Sequence, residues 1–157
     1  MVDVHNAAAR SRNMGAIRGK DTGPERLLRR ALFAHGFRYR LHDKRLPGRP
    51  DLVLPKYRAV IFVHGCFFHG HGCPAFRWPE TRREFWRSKI EGNRARDAAV
   101  ELKLRADGWR VLTVWECVLR GRRRWPAGQV AARVEQWLRS DRATGSVTAD
   151  SSRGAFR

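Results

Sequence analysis

Three of the chain's six histidines and two of its three cysteines fall in one ten-residue run, as His64, Cys66, His69, His71 and Cys73, while Cys117 stands alone far downstream. Thiols and imidazoles crowded in this way are poorly explained by packing and well explained by a metal. Cys66, His71, Cys73 and Cys117 would complete a tetrahedral Cys₃His site for Zn2+. Any fold that does so must carry Cys117 back to the run, which excludes most topologies. The spacing leaves the histidine open, since His64 or His69 can ligate in place of His71. Either way two imidazoles remain beside the metal, a sign of chemistry as well as structure.

The hydrophobic pattern supplies a route for Cys117. Thr22 and Glu25 form a capping-box pattern ahead of Leu27, Leu28, Ala31 and Leu32 at helical spacing, and Gly36 stops this helix. Phe37, Tyr39 and Leu41 alternate as in a half-buried strand. Asp51–Leu54 and Ala59–Val63 are short apolar runs around a Pro55–Arg58 turn, an antiparallel hairpin that is central because neither run has a polar face. Pairing Leu54 with Ala59 puts Asp51 opposite Phe62, its carboxylate beside the backbone of Phe62–Val63 and within diagonal reach of His64. A long helix is predicted from Thr81 to Ala106, with the inner stripe Trp86, Ile90, Asn93, Asp97, Val100 and Leu104. Trp109–Trp115 is again a strand. Strand, helix, strand is a βαβ unit whose strands run parallel. Cys66 then follows the carboxyl end of one strand and Cys117 that of the other, so topology joins them. A basic loop, Arg120–Arg124, and a helix over Gln129–Leu138 complete a domain spanning residues 21–139. Residues 1–20 read as a basic arm, and residues 140–157, small, polar and aperiodic, as a disordered tail.

The chain carries 33 lysines and arginines against 15 acids, a formal charge of +18. Arginine dominates, and its planar fork suits phosphates and guanine edges, so nucleic acid is the expected partner. No run approaches the ~20 apolar residues of a membrane span, and the first residues lack a signal peptide's apolar stretch. Three cysteines are too few for a secreted disulfide scaffold. A cytoplasmic setting, with thiols reduced and free to ligate, is expected.

Asp51 starts a buried strand against the one that delivers His64. A carboxylate, a backbone carbonyl and waters make a typical Mg2+ shell, although a turn aspartate bonded to local backbone is the simpler reading. Asp97 lies on an apolar stripe and needs a partner, either an arginine in a structural pair or a histidine in a catalytic one. Glu25 reads from spacing as the acid of the capping box, and His5, His35 and His42 as surface or packing residues. Phe67 and Phe68 lie in the metal loop, where no regular element can bury both, and Trp86 opens the long helix. Aromatics beside a basic surface wedge between base pairs or stack on bases; the alternative is a small satellite core over the zinc.

Assembled, these residues resemble the very short patch repair (Vsr) DNA mismatch endonucleases. The likeness covers residues 3–138 through Asp3-Val-His5, Arg12-Asn-Met14, Leu46-Pro-Gly-Arg-Pro-Asp51, Ile61-Phe-Val-His-Gly-Cys66-Phe67, Thr81-Arg82, Glu84-Phe-Trp86, Gly108-Trp-Arg-Val-Leu112 and Val114-Trp-Glu-Cys117. The resemblance implies a restriction-endonuclease-like fold, a mixed central sheet flanked by helices. It implies a monomeric enzyme that nicks double-stranded DNA 5′ to the thymine of a T·G mismatch left by deamination of 5-methylcytosine. It places Mg2+ on Asp51 and the backbone of Val63, makes His69 the catalytic base and Asp97 its orienting carboxylate, and has Glu25 and His64 hold metal-bound water. Cys66, His71, Cys73 and Cys117 match the zinc ligands. Met14, Phe67, Phe68 and Trp86 match positions that wedge into the duplex. Functional links to a cytosine-5 DNA methyltransferase and to mismatch-repair proteins follow from the same resemblance.

The chain departs from the family pattern with Val63 for a threonine, Phe68 for a tryptophan, and Gly70 within a histidine run, where it is expected to loosen the loop. The rival reading, a zinc-stabilised DNA-binding module without catalysis, leaves Asp51 and Asp97 without purpose. A zinc nucleobase deaminase is excluded, because its His-x-Glu and Pro-Cys-x-x-Cys signature is missing.

Overall fold

The computed structural model describes residues 20–74 and 76–150. Helix α1 (Gly23–Ala34) starts where Thr22 Oγ1 accepts the Glu25 amide proton at 3.3 Å, and it buries Leu28 and Leu32. The Glu25 carboxylate does not close the box on Thr22; it accepts the Asp21 amide instead, at 2.9 Å. Phe37 and Tyr39 pack inward as expected, yet only Arg40–Leu41 pair as a strand, β1. His42 enters the left-handed region at φ 48° and ends the run.

Strands β2 (Leu52–Leu54) and β3 (Ala59–His64) flank a turn of 3₁₀ helix, Pro55–Tyr57. Leu54 pairs with Ala59 and Leu52 with Ile61, the register predicted from the turn. Helix α2 (Arg83–Ala106) crosses over to β4 (Arg110–Trp115), which lies parallel to β3 with Trp115 beside His64. Short helix α3 (Glu116–Leu119) and helix α4 (Ala127–Leu138) follow. Alternate strand residues feed two cores. Leu52, Leu54, Ile61, Leu112 and Val114 meet Leu28, Leu32 and Val134 from α1 and α4, while Val53, Val60 and Val111 meet Leu104 of α2. Helices therefore cover both faces of the sheet.

The tail expected to be disordered needs correction. Thr144–Val147 forms β5, parallel to β4 on the edge of a sheet ordered β1-β2-β3-β4-β5. Its composition is weak for a strand, but tertiary contacts override local preference. Gly145 lets the Trp137 indole close in, since a Cβ there would lie 2.6 Å from Trp137 Nε1. That N–H donates to the Thr144 carbonyl at 3.0 Å. Residues 1–19, and with them His5 and Met14, lie outside the described residues, as do residues 151–157.

Arg110 fastens the end of the sheet where β4 begins. It donates to the carbonyls of Tyr57, Trp137, Leu138, Ser140 and Arg142 at 2.8–3.3 Å, and its guanidinium lies 4.4 Å from the Trp137 ring. No helix among the described residues is long and apolar enough to cross a membrane.

Candidate active site

The parallel register of β3 and β4 brings their carboxyl ends to one edge. Beyond β3 the chain turns tightly: the His69 amide donates to Gly65 O at 3.2 Å and the His71 amide to Cys66 O at 2.9 Å. The Asn93 side chain, on the inner stripe of α2, donates to Phe68 O at 2.8 Å. Gly70, at φ +62°, presses on the same helix, where a Cβ would meet Ile90 Cγ2 at 2.8 Å and Arg94 Cδ at 3.0 Å. Glycine therefore seats this loop closely on α2, the reverse of the loosening expected from sequence.

Cys66, His71, Cys73 and Cys117 each offer a donor atom, all within 4.8 Å of one another. Of the histidines left open by spacing, His71 is the one whose donor atom lies among the three thiols. His71 Nδ1 lies 3.4 Å from Cys66 Sγ and 3.9 Å from Cys117 Sγ, and the ring stacks on Trp115 at 4.2 Å. All three thiols are buried and free. Cys117 is the readily ionised member, held low by a hydrogen bond from Cys66 and helped by the Ala149 amide, 3.5 Å from its sulfur. Three thiols with one imidazole fit a tetrahedral, borderline-soft cation such as Zn2+.

Asp97, half-buried on α2, finds histidines as partners. His69 Nδ1 lies 2.6 Å from its Oδ2, and His64 Nδ1 lies 3.9 Å from the same oxygen. A carboxylate only accepts, so the proton sits on His69 Nδ1 and leaves Nε2 with a free lone pair. The two imidazoles stack at 3.8 Å, tilted by 1°. Burial, reinforced by repulsion from His69 whenever that ring is protonated, lowers the His64 pKa to about 4 and keeps His64 neutral. Asp51 stands where the register put it, with Oδ2 accepting the Val63 amide at 2.7 Å. Burial raises its pKa to about 7 against the pull of that hydrogen bond. Such a carboxyl is suited to a hard cation, which would compensate its buried charge. Asp51, His64, His69 and Asp97 line one cleft of about 870 Å³ whose walls also carry Lys20, Lys44, Arg49, Arg94 and Arg96.

The two shifts have opposite signs. Folded Asp51 keeps a proton that the unfolded chain loses above pH 3.8, so its contribution to stability falls as pH rises toward 7. Folded His64 lacks a proton that the unfolded chain holds below pH 6.5, so its contribution falls as pH drops toward 4. Between these limits they offset each other. Without added Mg2+, Asp51→Asn should therefore make stability rise with pH across that window, by up to about 1.4 kcal/mol per unit, and His64→Gln should make it fall. Denaturant titrations at several pH values check this, and parallel profiles for both variants would contradict it.

The aromatics divide by burial. Phe67 and Phe68 are half-buried and packed edge to face at 5.2 Å, and Phe67 meets Trp86 at 5.2 Å. Trp86, only 5% exposed, is not an exposed aromatic; satellite packing claims it, and it supports Phe67 from within. Among the exposed rings are Trp78 and Phe85, faced by Arg87 and Arg82 respectively.

A family profile described as DNA mismatch endonuclease Vsr matches residues 2–75. DNA mismatch endonuclease Vsr of Escherichia coli K12 is 46% identical over 147 residues, which is 94% of this chain and 94% of that one. The chain belongs to the Vsr family. Two further relatives are named type II nicking enzymes. V.XorIIP of Xanthomonas oryzae pv. oryzae is 50% identical over 76% of this chain and 88% of its own length, and V.NmeAIP of Neisseria meningitidis is 45% identical over 78% and 87%. Of the positions that the Vsr resemblance singled out, Asp51, Val63, His64, His69 and Asp97 gather at the cleft, with the four-residue cysteine and histidine cluster beside them. Glu25 does not share that wall. It is 1% exposed, and between it and the cleft stands His42, whose Nε2 lies 2.5 Å from Glu25 Oε1. The sequence places His42 only among surface or packing residues. The polar residue that ends β1 just ahead of an Asp-Lys turn was its one signal.

Proposed function

We propose that this chain is a Mg2+-dependent, strand-specific mismatch endonuclease of restriction-endonuclease-like fold, nicking double-stranded DNA 5′ to the thymine of a T·G mismatch formed by deamination of 5-methylcytosine. The observation that carries the reading is the 2.6 Å contact between Asp97 and His69 in the cleft that holds Asp51. Its support is 46% identity to a mismatch endonuclease along nearly the whole chain. The enzyme works as a monomer in the cytoplasm, at the nucleoid, alongside a cytosine-5 DNA methyltransferase and mismatch-repair proteins.

Asp51 and the Val63 carbonyl are the residues that would hold Mg2+, which when bound supplies positive charge to the phosphate and the leaving oxygen. His69 takes a proton from the attacking water at Nε2. Asp97 fixes the tautomer and stabilises the imidazolium that forms. His64, neutral and stacked on His69, is free to hold a water by hydrogen bonding. Zn2+ on Cys66, His71, Cys73 and Cys117 would hold the loop that carries His69. The test is nicking of a T·G duplex: Asp51→Ala should abolish it with duplex affinity largely kept, and normal cutting by that variant would reject the assignment.

Recognition divides between charge and shape. Phe67 and Phe68, backed by Trp86, are the proposed wedge with Met14, because unstacking costs least at a mismatch. Arg94, on the cleft wall, is the proposed phosphate contact. Arg94→Ala should flatten the plot of log affinity against log salt by about 0.9 and leave mismatch preference alone. Phe67→Ala should do the reverse. Salt titrations on paired and mismatched duplexes check both; exchanged effects would refute the division.

A further inference from the structure

We propose that His42 is a positioning residue of this site, the group through which buried Glu25 acts on the cleft beside Asp51. The proposal rests on the endonuclease reading above. Glu25 is enclosed: Oε2 accepts the Asp21 amide at 2.9 Å, while Oε1 faces His42 Nε2 at 2.5 Å and Arg29 Nη1 at 3.4 Å. A carboxylate with both oxygens engaged and 1% exposure is poorly placed to hold a water in the cleft. His42 is well placed, because it lines the cleft wall together with Asp51.

Three independent constraints set the His42 ring there. Its backbone is left-handed at φ 48°, a conformation uncommon for residues other than glycine and found most often where the surroundings enforce it. Its amide donates to the Asp51 carbonyl at 3.2 Å, tying it to the strand end that carries the carboxylate. Its ring is fixed by Glu25. Because a carboxylate only accepts, the Nε2 proton points to Glu25, and Nδ1, which has no protein partner among the described residues, is left to accept from a water. The site then holds two carboxylate–imidazole pairs, Asp97–His69 and Glu25–His42. Buried partners of this kind orient the groups that contact a cation or its waters.

The donor atoms of Asp21, Glu25 and His42 also lie near enough together to suggest a cation of their own. Arg29 argues against one. Its guanidinium sits 2.7 Å from Asp21 Oδ1 and 3.4 Å from Glu25 Oε1, in the space such an ion would need.

The experiment compares His42→Ala, His42→Gln, Glu25→Gln and the double variant Glu25→Gln/His42→Ala in the full chain. Single-turnover nicking of a T·G duplex is followed across a Mg2+ titration, and Mn2+ binding to the protein–duplex complex is read by EPR. His42→Ala is expected to raise both half-saturation concentrations by about 10–100-fold, with duplex affinity in the absence of divalent cation unchanged. Glu25→Gln should give a similar shift, and the double variant no more than either alone, because the two act as one unit. His42→Gln keeps a hydrogen-bonding side chain and should restore most of the wild-type behaviour. Wild-type half-saturation in His42→Ala overturns the proposal, as do shifts that multiply in the double variant. If His42→Ala melts early, the Mn2+ measurement on cold, folded protein decides: a purely structural role leaves it unmoved, and the proposal falls. Asp51→Asn is the control for the underlying reading. Full nicking by that variant rejects the endonuclease assignment itself, whereas an inactive Asp51→Asn beside a normal His42→Ala rejects only the role of His42.

Discussion

Cys117→Ser is expected to purify with well under one zinc per chain and to lose the fold around the cleft along with its activity. Structural zinc sites contribute about 10–16 kcal/mol of apparent binding energy in small peptides, comparable with the whole ~5–15 kcal/mol stability of a domain. Here the consequences reach the chemistry by a short path. His69 lies two residues before His71 in one tight turn, and His71 stacks on Trp115 at 4.2 Å. With the cluster open, that turn keeps its contacts to α2 through Trp86, Asn93, Asp97 and Gly70 but loses its tie to Cys117. A strong chelator acting on the wild-type protein should give the same result. Elemental analysis, thermal melting and tryptophan fluorescence, which Trp115 makes sensitive to the cluster, check it together. Wild-type protein that melts cooperatively and nicks DNA without zinc would overturn the structural role.

Asp97→Asn should slow single-turnover nicking by about 10²–10⁴-fold while leaving mismatch binding intact and melting nearly unchanged. Asparagine can donate to His69 Nδ1, which drives the proton to Nε2, where the reaction needs a lone pair. Stability should move little, because the side chain is 32% exposed and its partners are histidines that can remain neutral. Had Asp97 neutralised a buried arginine, its loss would strand a charge at a cost of roughly 3–5 kcal/mol, and folding would suffer first. A variant that melts early yet nicks at the wild-type rate when kept folded in the cold would reject the catalytic role.

What the sequence made legible was what periodicity and topology control. The Leu54–Ala59 register, the inner stripe of α2 with Asp97 on it, and the parallel βαβ unit that delivers Cys117 are all present in the structure. What escaped depends on contacts between distant segments. Thr144–Val147 has little strand character of its own and exists because β4 offers an edge and Gly145 admits the Trp137 ring. Trp86 is buried as its place on the inner stripe predicts, and the aromatic cluster around Phe67 leaves it no exposed face with which to wedge. The pair Glu25–His42 joins the first turn of α1 to the residue after β1, a meeting no local pattern encodes. In Glu25 the capping pattern itself misled, since the same spacing served a buried carboxylate whose partners lie elsewhere.

The position of Cys117 bears on when cutting power arises. Asp51, His69 and Asp97 all precede it, and the Thr148 and Ala149 atoms that approach its sulfur at 3.6 and 3.5 Å come later still. A growing chain that has emerged only through α2 already bears these three side chains and much of the +18 charge. It lacks the thiol that fixes their loop. Order along the chain therefore leaves the proposed catalytic groups without the fourth donor beside their loop until Cys117 has been made.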